Sequence, residues 1–64
     1  MPEIRLPSTV IEHIDDDTYI LSYELVEWVK ENCIGAIRWA HLKNHIDAHF
    51  EEEQDAVLFK MRWY

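Results

Sequence analysis

The sequence predicts a single small α+β domain in which two helices pack on one face of a small antiparallel sheet. Three patterns predict it: helical spacing of apolar residues over 22–33, alternation over 36–50, and an acidic-to-basic charge gradient over 52–63. The chain has 64 residues, near the lower limit for independent folding, so residues 1–64 are expected to form one domain. Three Trp, three Tyr and two Phe can build its core.

The first helix is predicted over residues 22–33. Ser22 is the expected N-cap, because its hydroxyl can accept a backbone N–H of the first turn. Gly35, the only glycine, follows the helix and predicts a left-handed C-terminal cap. The residues at helical spacing that should face the core are Leu25, Val26, Trp28, Val29 and Cys33.

A β-hairpin is predicted over residues 36–50, with strands 36–42 and 45–50 and a turn at Lys43-Asn44. Asn44 tolerates the positive φ that two-residue hairpin turns require. Pairing residue 42 with residue 45 separates a mostly apolar face from a mostly polar one, as in a half-buried antiparallel pair. The apolar face holds Ile37, Trp39, His41, Ile46, Ala48 and Phe50, and the polar face holds Arg38, Ala40, Leu42, His45, Asp47 and His49.

A helix is the alternative for this stretch, because Trp39, Leu42, Ile46 and Phe50 also form a helical stripe. The hairpin is favoured, since Gly35 breaks the preceding helix and β-branched and aromatic residues alternate after it. The N-terminal segment is predicted to add an edge strand. Alternation is visible there in "TVIEHI", residues 9–14, just before an acidic turn at 15–17.

The C-terminal segment carries two competing patterns. A strand pattern is present where Val57, Phe59, Met61 and Trp63 alternate with Leu58, Lys60, Arg62 and Tyr64. The acidic start of the segment and the basic residues Lys60 and Arg62 near its end have the polarity that a helix macrodipole prefers. Both a strand and a helix over 52–63 therefore fit the pattern.

The stretch "HFEEEQDAVLFKMRW" resembles the ending of some small uncharacterised proteins encoded by tailed phages. In those proteins a strand with an aromatic last residue is followed by an acidic turn and an amphipathic helix. The resemblance covers about a quarter of the chain, and its matching positions are Phe50, Glu51, Asp55, Ala56, Phe59, Lys60, Arg62 and Trp63. It implies a helix over 52–63 and a phage origin, and it implies no activity.

Composition and charge exclude several classes of function. Thirteen acidic residues against six basic ones give a net charge of −7, so direct binding to nucleic acid or to anionic membranes is not expected. No apolar run approaches the roughly 20 residues of a membrane span. With a single cysteine and no signal-peptide pattern, a reducing cytoplasm is the expected compartment. If the chain is phage-encoded, as the resemblance implies, this is the cytoplasm of the bacterial host.

Three histidines four residues apart raise the possibility of a metal site, with zinc as the candidate ion. On the predicted hairpin, His45, Asp47 and His49 share one face, while His41 points to the other. Two imidazoles and a carboxylate are zinc ligands in many proteins. The competing interpretation is that these residues are a solvated polar surface.

No catalytic residues are predicted. Cys33 lies at the end of a helix, where the dipole raises the pKa of a thiol, so a buried structural role is expected. The leading hypothesis is a non-enzymatic, phage-encoded protein that binds and modulates a basic host protein through its acidic or aromatic surface. The candidate binding residues are Asp15, Asp16, Asp17, Glu51, Glu52 and Glu53.

Two alternative functions stand beside the leading hypothesis. The first is a small metal-binding module that uses His41, His45, Asp47 and His49. The second is a structural or accessory subunit of a homo-oligomer, because exposed edges of a small sheet pair readily with a second copy. The same exposed edges make a homodimer a further expectation, whichever function applies.

Overall fold

A computed structural model describes residues 2–64 and has the predicted α+β architecture. Two helices accompany a three-stranded antiparallel sheet and a separate two-stranded one. In chain order the elements are β1 (Glu3–Arg5), a 3-10 turn (Ser8–Val10), β2 (Ile11–Ile14), β3 (Tyr19–Leu21), α1 (Tyr23–Asn32), β4 (Ile37–Leu42), β5 (His45–Phe50) and α2 (Glu53–Trp63). No helix within residues 2–64 is long and apolar enough to cross a membrane.

The three-stranded sheet has the order β1-β5-β4, with β5 in the centre. β4 and β5 pair in the predicted register, from Leu42 opposite His45 to Ile37 opposite Phe50. In β5 the burial alternates strictly, with Ile46, Ala48 and Phe50 buried. The period of two therefore predicted correctly which face of the hairpin is buried.

The N-terminal segment supplies the edge strand, but from a shorter and earlier stretch than "TVIEHI". β1 pairs with β5 through Glu3 opposite His49 and Arg5 opposite Asp47. Residues of "TVIEHI" instead form β2, which pairs with β3 as a separate two-stranded sheet. Three residues are too few to show a period in the sequence, so neither β1 nor β3 could be delimited from it.

Helix α1 begins and ends close to the predicted residues, but its C-terminal cap differs from the predicted one. The Ser22 hydroxyl accepts the backbone N–H of Leu25 at 3.2 Å, which makes Ser22 the N-cap. No glycine or other residue in 2–64 has a positive φ, so Gly35 does not provide the expected left-handed cap. Gly35 is needed for space: a Cβ there would lie 2.6 Å from Cγ of Glu52.

The hairpin turn also forms without the positive φ that was expected at Asn44. Favoured two-residue turns require positive φ at both central residues or at the first one, and Lys43 adopts it only at a steric cost. The turn position was predicted correctly, but its backbone conformation was not.

The core lies between the inner face of the three-stranded sheet and the two helices. Phe50 of β5 packs against Phe59 of α2 with ring centroids 5.6 Å apart. Trp28 of α1 contacts both Phe59 and Trp63 edge to face at 6.2 Å. Residues 53–63 are thus helical, and the macrodipole polarity was the informative pattern. The fully buried side chains of the core include Leu25, Ile46, Phe50 and Phe59.

Candidate partner-binding surface

The turn between β2 and β3 is held by the side chain of Asp15. Oδ1 of Asp15 accepts the backbone N–H groups of Asp17 at 2.9 Å and Thr18 at 2.8 Å. Oδ2 lies 2.8 Å from Nε2 of His13. The hydrogen bond from His13, followed by those from the Thr18 and Asp17 backbone, holds the pKa of Asp15 well below its ordinary value of 3.8. The carboxylate of Asp15 is therefore occupied by hydrogen bonds within its own turn.

Asp16 and Asp17 are the residues of this turn that remain available to a partner. Both are exposed, and neither side chain takes part in an ion pair or side-chain hydrogen bond within residues 2–64. The Asp15 turn thus presents two carboxylates from a locally ordered backbone. A charged group on an ordered loop loses less conformational freedom on binding than one on a mobile segment.

His41 fixes this turn to the three-stranded sheet. Its Nε2 lies 2.8 Å from the backbone oxygen of Asp15, to which the ring N–H donates. Its ring meets Tyr19 of β3 edge to face, with centroids 5.0 Å apart. His41 thereby holds the acidic turn at the end of β4 next to the hairpin turn.

The second acidic cluster, Glu51 to Glu53, lies at the opposite end of the same sheet. The backbone N–H of Glu51 donates to the carbonyl of Ala36 at 3.0 Å, which places the cluster beside the start of β4. Glu52 is the N-cap residue of α2, and its carbonyl accepts the N–H of Asp55 at 3.1 Å. All three glutamate side chains are exposed.

The two acidic clusters therefore lie beside the same sheet but at its opposite ends. Ile37 and Leu42 mark the two ends of β4, five residues apart, or about 17 Å at 3.3 Å per residue. The clusters lie beyond those ends, so one small cationic group cannot contact both. An extended basic surface can contact both.

Asp55 is a structural side chain of the acidic segment, and the sequence alone did not indicate its role. It is completely buried, and its carboxylate accepts the backbone N–H groups of Ile34 at 3.1 Å and Gly35 at 2.8 Å. It ties the loop between α1 and β4 to α2. In the sequence it looks like one more charge of an acidic helix start, and only the solitary Gly35 hinted at a close approach of backbone.

The histidines and Asp47 form paired contacts on the outer face of the sheet, not one ligand set. Asp47 lies between Arg5, at 3.7 Å, and His45, at 3.9 Å. His49 instead lies 3.4 Å from Glu3. His41 is on the other face and contacts the Asp15 turn.

No three His, Cys, Asp or Glu side chains within residues 2–64 are placed to hold one metal ion. His45 and His49 are four residues apart on one strand, about 13 Å along it. Their spacing was suited to a helix, and in a strand it separates them. The structure therefore gives no support to a zinc site built from His41, His45, Asp47 and His49.

Cys33 follows α1 as its C-cap residue and is half-buried, less than the full burial that was expected. Burial, and secondarily the negative charge of Asp55, raises the pKa of the Cys33 thiol. A thiol with a raised pKa is protonated at neutral pH and is a weak nucleophile. The direction of this shift agrees with the expected structural role.

Exposed apolar side chains accompany the acidic clusters. Tyr23 on α1 is 74% exposed, and Met61 and Tyr64 at the end of α2 are 78% and 68% exposed. Val57, Met61 and Tyr64 are spaced as neighbours on one face of α2. These residues provide apolar contact area that a partner can cover.

No known protein family, curated protein or solved structure matches this chain.

Proposed function

We propose that this chain is a small non-enzymatic protein, phage-encoded, that binds and modulates a host protein with a basic surface. The phage origin rests on the resemblance of its C-terminal segment. The binding role rests on the surface charge described above.

The observation that carries the proposal is the large excess of unpaired surface carboxylates. Within residues 2–64, eight exposed acidic side chains take part in no ion pair: Glu12, Asp16, Asp17, Glu24, Glu31, Glu51, Glu52 and Glu53. A net charge of −7 on 64 residues produces a strongly negative field. Such a field accelerates encounter with a basic partner and repels acidic ones.

The two acidic clusters are the contact points we assign to that partner. Asp16 and Asp17 stand on the turn ordered by Asp15, and Glu51 and Glu53 stand on the ordered junction of β5 and α2. Because the two clusters lie beyond opposite ends of β4, the partner surface that contacts both must carry two separate basic patches. The exposed Tyr23 and Tyr64 add area at the periphery.

The test is a two-stage binding experiment. The tagged chain captures proteins from a bacterial lysate at low and high salt, and mass spectrometry identifies a retained protein. That protein is then purified, and its dissociation constant is measured against two paired variants, Asp16→Lys with Asp17→Lys and Glu51→Lys with Glu53→Lys. Glu24→Lys with Glu31→Lys on α1 is the matched control, because it changes the net charge equally at exposed sites.

We expect each cluster variant to weaken binding at least about tenfold, or about 1.4 kcal/mol, and the α1 control to weaken it much less. High salt should lower the affinity, because exposed charges are screened over about 8 to 10 Å at moderate ionic strength. Equal affinities for both cluster variants and the control would show that the clusters are not the contact points.

A further inference from the structure

The two edges of the three-stranded sheet differ in how they are protected. In β1 the backbone groups of Pro2 and Leu6 bond to β5, through Phe50 N–H to Pro2 O and Leu6 N–H to Ile46 O, both at 2.9 Å. The alternate residues Glu3 and Arg5 therefore turn their backbone groups to the open side. The Tyr64 hydroxyl donates to the Arg5 carbonyl there.

Several devices therefore block pairing at the β1 edge. The strand has three residues, lies between Pro2 and Pro7, and carries two exposed charged side chains. Short edges, prolines and charges are the features by which proteins prevent strand addition. The Tyr64 hydroxyl occupies one of the few remaining acceptors.

The β4 edge lacks most of these devices: the strand has six residues, contains no proline, and carries one charged side chain, Arg38. Glu51 N–H donates to Ala36 O at 3.0 Å, and Leu42 lies opposite His45 across the two-residue turn. This alternation assigns the even-numbered residues of β4 to bonds with β5 and leaves the N–H and C=O groups of Ile37, Trp39 and His41 pointing outward. No backbone hydrogen bond within residues 2–64 joins these outward groups to another element.

We propose that β4 of a second copy of the chain pairs antiparallel with this edge. The three strands of each copy then form one continuous six-stranded sheet. Outward-facing residues must meet outward-facing residues. A pairing centred on Trp39 satisfies this for all of them, because Ile37 then lies opposite His41 of the second copy. Trp39 lies opposite Trp39 of the second copy, and aromatic pairs across strands stabilise a sheet.

Charge favours a second copy at this edge. Residues 36–46 contain Arg38 and Lys43 and no carboxylate, so this edge carries no negative side chain although the chain as a whole is acidic. The pairing centred on Trp39 brings the hairpin turn, which begins at Lys43, close to Gly35 of the second copy, just before the start of its β4. The side chain of Glu52 lies directly over Gly35. The two-fold symmetry then forms two Lys43–Glu52 ion pairs between the copies.

This inference does not rest on the proposed partner. Glu52 lies within the second acidic cluster, but the variants that test the partner change Asp16, Asp17, Glu51 and Glu53 and leave Glu52 unchanged. Its test begins with sedimentation equilibrium of the purified chain over a concentration series. We expect the mass to rise from the 7.8 kDa of one chain to twice that value. Hydrogen exchange locates the interface: the amides of Ile37, Trp39 and His41 should become protected with concentration. The amides of Arg38, Ala40 and Leu42, already bonded to β5, are internal controls.

Charge exchange tests the register. Lys43→Glu and Glu52→Lys alter exposed side chains, and each singly should weaken dimerisation about tenfold by replacing two attractions with two repulsions. The double variant should restore it to within a few fold of the original. Glu31→Lys on α1 is the control for net charge. Circular dichroism checks that each variant remains folded.

The possible results distinguish dimerisation through β4 from its absence. A single-chain mass at every concentration overturns the proposal, and so does a dimer in which the three outward amides stay unprotected. Protected amides without rescue by the double variant overturn the register centred on Trp39. Concentration-dependent protection together with rescue establishes both the interface and its register.

Discussion

The carboxylate of Asp55 accepts the backbone N–H of Gly35 at 2.8 Å, although Gly35 lies 20 residues earlier in the chain. The same carboxylate accepts the N–H of Ile34. A completely buried acidic side chain is tolerated only with such partners, because burial without hydrogen bonds carries a large desolvation penalty. One side chain thus joins α2 to the loop that leads into β4.

Replacing Asp55 should destabilise the fold strongly. In Asp55→Asn the side chain keeps one acceptor, and its NH₂ group faces backbone donors. We expect a loss of about 1–3 kcal/mol in the free energy of unfolding, measured by urea denaturation. Asp16→Asn removes an exposed carboxylate without hydrogen-bonded donors and should change stability by less than about 0.5 kcal/mol. A loss in Asp55→Asn no larger than in this control contradicts the assigned role.

Asp55 also shows where the sequence stops being informative. The hairpin faces were predictable because a period of two continues over twelve strand residues and one register fits it. Asp55 stands among Glu51, Glu52 and Glu53, and nothing local distinguishes a buried carboxylate from exposed ones. Its donors lie in a distant loop, and only the folded chain brings them together.

The candidate site was predictable in part for a related reason. Acidic runs are recognisable in the sequence, and the side chains of both clusters are exposed. The sequence did not show that the carboxylate of Asp15 accepts hydrogen bonds within its own turn. The histidine spacing was less informative, because the same four-residue interval brings side chains together on a helix and separates them on a strand. The contact of His41 with Asp15 joins segments 26 residues apart and has no local pattern.

Gly35 should not tolerate a side chain. An added Cβ would lie 2.6 Å from Cγ of Glu52 and 3.3 Å from its Cβ. We expect Gly35→Ala to destabilise the chain by about 1–3 kcal/mol through overpacking, since its φ is not in the left-handed region. Combining it with Glu52→Ala, which removes Cγ, should recover at least about 0.5 kcal/mol in a double-mutant cycle of unfolding free energies. Strict additivity of the two changes contradicts the steric explanation.

The contact between His41 and Tyr19 should contribute to docking of the β2–β3 sheet. His41→Ala and Tyr19→Leu, measured singly and together by urea denaturation at a concentration where the chain is monomeric, should show a coupling of about 0.5–1.5 kcal/mol. The same cycle between His41 and the exposed Tyr23 is the control, and its coupling should be near zero. Equal couplings in the two cycles contradict a specific ring contact.

The Asp15 turn should make stability depend on pH in the acidic range. Its pKa is lowered in the folded chain by hydrogen bonds from His13, Thr18 and Asp17, against an ordinary value of 3.8 that applies when it is unfolded. The unfolded state therefore binds the proton first as pH falls. The stabilisation by Asp15 is complete above about pH 4 and is lost as pH falls toward the folded-state pKa.

Asp15→Asn should therefore be less stable than the original chain at pH 5, and the difference should shrink as pH falls below about 4. Urea midpoints measured at pH 5 and at successively lower pH give this difference directly. Asp16→Asn, one residue away but without those hydrogen bonds, should follow the original chain at every pH. A constant gap between Asp15→Asn and the original chain over this range would mean that the carboxylate does not order the turn through its charged form.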